Sequence, residues 1–64
     1  MKRRNFERHL RSHGCHLGRH GARHDIWANP RKETEVAVPR HNEIQPGLIR
    51  AICRELNVPV PPGK

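Results

Sequence analysis

The sequence predicts an α+β domain of order α-β-β-β-α, a three-stranded antiparallel sheet with both helices packed on one face. Three observations predict it. Apolar residues recur at helical spacing near both ends of the chain. Between them they alternate at strand spacing. Glycine, asparagine and proline then punctuate the boundaries between the two regimes.

Residues 3–13 read as the first helix, because Phe6 and Leu10 lie four apart on one face and charged residues fill the rest. Asn5 can cap a slightly later start. Gly14 stands where a C-terminal glycine belongs, with His13 in the last turn. Cys15-His16-Leu17-Gly18-Arg19 alternates apolar with polar, which suits a short strand with one buried face. Gly21-Ala22 make the turn into a second strand, 24–28. The loop 29–34, opened by Asn29-Pro30, leads to a third strand, 35–39. Pro46 suits the first turn of a second helix, along which Ile49, Ile52, Cys53 and Leu56 form an amphipathic stripe. Pro59-Val60-Pro61-Pro62-Gly63 cannot continue that helix. Residues 1–58 therefore read as a single domain and 59–64 as an extended or disordered proline-rich tail.

Composition bounds the function. A chain of 64 residues makes one small domain, and such a domain buries only roughly 60% of its unfolded surface. Only 33% of its residues are hydrophobic, so tight association with a partner protein would help it persist. Thirteen Lys plus Arg against six Asp plus Glu give a formal net charge of +7. Charge of that density attracts polyanions before any specific contact forms, and nucleic acid is the partner it selects. No apolar run approaches the ~20 residues of a spanning helix, which argues against a membrane partner. Met1-Lys2-Arg3-Arg4 has no apolar segment behind it, so a cytoplasmic location is expected. There Cys15 and Cys53 are reduced core residues rather than a disulfide. His16, His20 and His24 recur every four residues, but Gly14, Gly18 and Gly21 argue against the helix that would align them. No Cys-x-x-Cys pair is present, and neither a metal nor a cofactor is expected.

The segment from Arg19 to His41 carries the chemistry. His24 follows the turn Gly21-Ala22-Arg23 and opens the strand that ends near Trp27. An imidazole exchanges protons near neutral pH, and guanidinium groups hold phosphate. Ribonucleases that need no metal use the RNA's own 2′-hydroxyl as nucleophile. The protein then moves protons and stabilises a crowded phosphate. His24 is the candidate catalytic residue, and Lys2, Arg3, Arg4, Arg19, Arg23, Lys32, Arg40 and His41 are the candidate RNA-binding residues. Trp27 could stack on a base, but in a chain with one tryptophan and one phenylalanine it reads first as core or interface.

Four local motifs follow one another along the chain: His13-Gly14; Arg19 with Gly21-Ala22-Arg23-His24 and Trp27-Ala28-Asn29-Pro30; Val36-Ala37-Val38-Pro39-Arg40-His41; and Glu43-Ile44-Gln45-Pro46-Gly47 leading into Ile49-Arg50-Ala51-Ile52-Cys53. In these, from Arg3 to about Pro59, the chain resembles the HicA toxins of the HicA–HicB toxin–antitoxin systems. The resemblance implies a fold like a double-stranded-RNA-binding domain, messenger-RNA cleavage, and inhibition by a HicB-like antitoxin. The family's catalytic histidine, in a Gly-Ser-His motif, falls on His24. Arg23 replaces the serine of that motif, and the glycine lies further upstream. The alternative is a non-catalytic module that reads double-stranded RNA by shape. The two readings part on His24, which pure binding does not require.

Overall fold

The computed structural model describes residues 1–62. It has the expected order: α1 (Arg3–Ser12), β1 (His16–His20), β2 (His24–Asn29), β3 (Thr34–Pro39) and α2 (Pro46–Leu56). The strands lie in the order β1-β2-β3, antiparallel throughout, so β2 is central and both of its neighbours are edges.

α1 buries Phe6 and Leu10, the pair that predicted it. Its N-cap is Lys2 rather than Asn5, and no side chain caps it. The Arg3 N–H instead donates to the Asn42 carbonyl at 2.8 Å, a tertiary partner in place of a local one. The helix ends one residue earlier than predicted. Gly14, at φ +87°, donates its N–H to Arg11 while Cys15 donates to Leu10. That pair of bonds closes the last turn, and the left-handed backbone at Gly14 is what makes it possible. α2 ends at Asn57, also left-handed at φ 57°, a conformation asparagine tolerates better than most residues.

The inward face of the sheet carries Leu17 from β1, Trp27 and Asn29 from β2, and Val36 and Val38 from β3. Phe6, Leu10, Cys15, Trp27, Val38, Ile44, Ile49, Ile52, Cys53 and Leu56 form one buried cluster, so both helices cover the same face. Trp27, at 1% exposure, is core and presents no face to a base. The Arg11 guanidinium lies 5.0 Å over its ring from the α1 side. Asn29 Nδ2 donates to the Leu56 carbonyl at 2.7 Å, tying the far end of β2 to the end of α2. A core of this size has little redundancy. Truncating one such leucine typically costs about 2–5 kcal/mol, against a usual total of about 5–15 kcal/mol.

After α2, residues 58–62 belong to no helix or strand. The Pro59 carbonyl lies 2.6 Å from His9 Nε2, and Pro61 is buried. Gly63 and Lys64, the end of the proline-rich tail, lie outside the described residues.

Candidate nucleic-acid interface

Simple alternation along β1 predicts a strand over 15–19. The strand runs instead from His16 to His20, because a β-bulge lies between Leu17 and Arg19. Leu17 pairs with Trp27, but Arg19 then pairs with Ile26 and His20 with Asp25. Gly18 is the extra residue. A bulge re-aims the side chains beyond it. Unbulged, the register would set His20 opposite His24; bulged, it sets His20 opposite Asp25 and turns Arg19 to the outer face.

Asp25 thereby becomes the centre of a polar cluster under the β1–β2 turn. Its side chain is only 10% exposed. One oxygen, Oδ1, lies 2.8 Å from His20 Nδ1 and 3.4 Å from Arg40 Nη1. A carboxylate accepts, so Nδ1 carries the hydrogen of the first bond. Arg40 Nη2 donates to the carbonyls of Gly21 at 2.9 Å and Ala22 at 2.7 Å. One guanidinium fork thus holds both the buried acid and the turn backbone, a geometry that a lysine ammonium does not reproduce.

The turn itself demands glycine. Gly21 donates its N–H to the His24 carbonyl at 2.6 Å, and a Cβ there would stand 2.8 Å from that same oxygen. His24 follows as the first residue of β2, exposed, on the outer face and paired across the sheet with Pro39. Arg23 beside it is exposed as well. Arg19 shares the outer face and reaches Glu35 at 3.9 Å.

The other candidates divide by position. Arg40 and His41 follow β3 directly and so lie at the His24 end of the sheet. Lys2, Arg3 and Arg4 open α1, whose start is bonded to the segment after His41: Arg3 N–H to Asn42, and Lys2 bridged to Glu43. These residues line a shallow groove with Glu7, Asn42 and Glu43. Lys32 stands apart. It belongs to the β2–β3 turn at the other end of β2, about 17 Å from His24 at ~3.4 Å per strand residue.

His16, His20 and His24 do not share one face, and among the described residues no three His, Cys, Asp or Glu side chains converge as a metal site would require. Cys15 and Cys53 are free and buried, and burial pushes both thiols up. They are core residues rather than nucleophiles. The residues that sequence spacing did not single out are Asp25 and, as a member of the site, His20. An acid next to a candidate histidine was a visible signal, but its partner depended on the bulge.

The hairpin tip therefore offers a fixed turn, an exposed imidazole and a rim of arginines. The chain matches a family model described as HicA toxin of bacterial toxin–antitoxin over residues 3–58. No curated protein and no solved structure matches it. No helix among the described residues is long and apolar enough to cross a membrane.

Proposed function

Because the chain belongs to the HicA toxin family of bacterial toxin–antitoxin systems, we propose that it is an endoribonuclease that cleaves messenger RNA without a metal, with His24 as its catalytic histidine. Membership makes it a toxin with a cognate antitoxin. In this reading that antitoxin is HicB-like and the site of action is the cytoplasm, where messages are.

The observation that carries the reading is the setting of His24. It is exposed at the first position of β2, next to Arg23, on a turn locked by Gly21 and by Arg40. An imidazole there can take the proton of a ribose 2′-hydroxyl as its oxygen attacks the adjacent phosphorus. Arg23 and Arg19 would neutralise the charge that builds on the phosphate. Proton transfer of this kind contributes about 10²–10⁴-fold, a modest rate that still suffices to deplete messages.

The test is His24→Ala. It should abolish RNA cleavage and growth inhibition while leaving the fold and RNA binding intact. Cleavage by wild type should persist in excess chelator and stop when the scissile nucleotide carries 2′-deoxyribose. Equal cleavage by wild type and His24→Ala would overturn the assignment of His24, whereas RNA binding by wild type without any cleavage would favour the shape-reading module.

A further inference from the structure

We propose that His20 is the second proton-transfer group of this site, the acid that protonates the leaving 5′-oxygen while His24 serves the 2′-hydroxyl. The assignment rests on the ribonuclease reading above and extends it from one histidine to two.

The reaction poses the problem. The 2′-oxygen forms a bond to phosphorus, and the bond from phosphorus to the 5′-oxygen breaks. One proton leaves the 2′-oxygen and another must reach the 5′-oxygen, giving a 2′,3′-cyclic phosphate and a 5′-hydroxyl. In-line displacement sets the attacking and leaving oxygens on opposite sides of the phosphorus. A single imidazole serves one side at a time.

The hairpin supplies two. His20 ends β1 and His24 begins β2, with only residues 21–23 between them. His20 leaves the sheet on the face of its partner Asp25, and His24 leaves it on the other. Two imidazoles therefore flank one tip, on either side of a turn that the Gly21–His24 bond and the Arg40 fork hold still.

His20 is also built for delivery. Its side chain is 67% exposed, whereas that of Asp25 is 10% exposed. The orienting half of the pair is thus buried and the transferring half is in solvent. With Nδ1 committed to Asp25, Nε2 is the nitrogen left for a ligand, and in the imidazolium it carries the proton to be given. The competing explanation is an ordinary stabilising ion pair. An exposed pair contributes little, and burying a carboxylate to make one carries a desolvation penalty that an apolar residue would avoid. The bulge at Gly18 points the same way, since an unbulged register would not set His20 opposite Asp25.

An activated leaving group separates an acid from every structural role. Two substrates are compared: a short RNA, and a ribonucleoside 3′-(p-nitrophenyl phosphate), whose phenolate departs without protonation. The variant is His20→Asn, whose amide can still donate to Asp25. On RNA its kcat should fall about 10²-fold or more with KM within about twofold of wild type. On the p-nitrophenyl ester it should match wild type, while His24→Ala stays inactive on both. In His20→Ala, added imidazole should restore part of the rate on RNA. Undiminished cleavage of RNA by His20→Asn, or an equal loss on both substrates, would overturn the assignment and leave the role of His24 standing. A wild-type chain that cleaves neither substrate would remove the ribonuclease reading and this assignment together.

Discussion

The Gly21 N–H reaches the His24 carbonyl at 2.6 Å, and the space over Gly21 is so short that a Cβ would lie 2.8 Å from the same oxygen. The obstruction is backbone, which cannot swing aside as the end of a side chain can. Gly21→Ala should therefore open the turn. Strain of this type typically costs about 1–3 kcal/mol, and for a domain of this size each kcal/mol lowers Tm by about 4–8 °C. Cleavage should fall further than stability predicts, because a displacement of about 1 Å at a reacting group can cost about 10²-fold. Thermal melts and cleavage rates on the same preparation check both parts. An unshifted melt with full activity would show that the turn adapts.

Arg23 and Arg40 were equivalent as basic residues in the sequence; the fold separates them. Arg23 is exposed and has no hydrogen bond or ion pair among the described residues. Arg40 is tied to Asp25, Gly21 and Ala22. Arg23→Ala should weaken RNA binding, flatten its salt dependence by about 0.7–0.9 per lost phosphate contact, and leave Tm unchanged. Arg40→Ala should lower stability by about 1–2 kcal/mol, discounted for its partial exposure, and Arg40→Lys should recover little of it. Binding titrations across salt concentrations, paired with melts, distinguish the two. A salt slope unchanged in Arg23→Ala would shift the phosphate contacts toward the start of α1, where Lys2, Arg3 and Arg4 cluster.

The element order was legible because it depends on local apolar spacing: Phe6 with Leu10, Ile49 through Leu56, and the alternation around Trp27. His24 was legible too, as the residue where a glycine turn meets a strand. The pairing of His20 with Asp25 was not. Gly18 has no side chain to weigh on either face, so the pattern after Leu17 does not say whether Arg19 or His20 turns inward. The Arg40 fork was hidden for a different reason. It spans 18–19 residues to the turn carbonyls, and nothing local marks it. α1 starts at Arg3 as its spacing predicts, and the later start that Asn5 could cap is not taken, because a tertiary acceptor, Asn42, serves the first N–H instead.

Burial raises the pKa of both cysteines above 9.0, the ordinary thiol value, with Cys15 adding to the shift of Cys53. The folded state therefore binds these protons more tightly than the unfolded one. Their contribution to stability is complete below about pH 9 and is lost as pH rises through the folded values. Denaturant melts should show stability declining from about pH 9 upward, with a shallower decline in Cys15→Ala and Cys53→Ala. Both variants pay a separate, pH-independent cavity cost of about 1 kcal/mol or more. Thiol reagents at neutral pH should react slowly with the native chain and rapidly once it is unfolded. Fast modification of the native chain would show that the core opens around Cys15.

The outer face of the sheet carries His16, Arg19 and His24 and is covered by neither helix. With a net charge of +7 on the chain, an acidic antitoxin laid over that face would associate quickly through complementary charge. It would also block the hairpin tip. A partner that binds only the folded chain stabilises it by about 2.7 kcal/mol at a hundredfold excess over Kd, which raises Tm by about 10–20 °C for a domain this small. The complex should therefore melt higher as partner concentration rises, lose RNA binding in proportion to occupancy, and weaken with salt. Hydrogen exchange should find β1 and the start of β2, residues 16–25, newly protected. If only α2 gained protection and the complex still cleaved RNA, inhibition would have to work by some route other than covering His24.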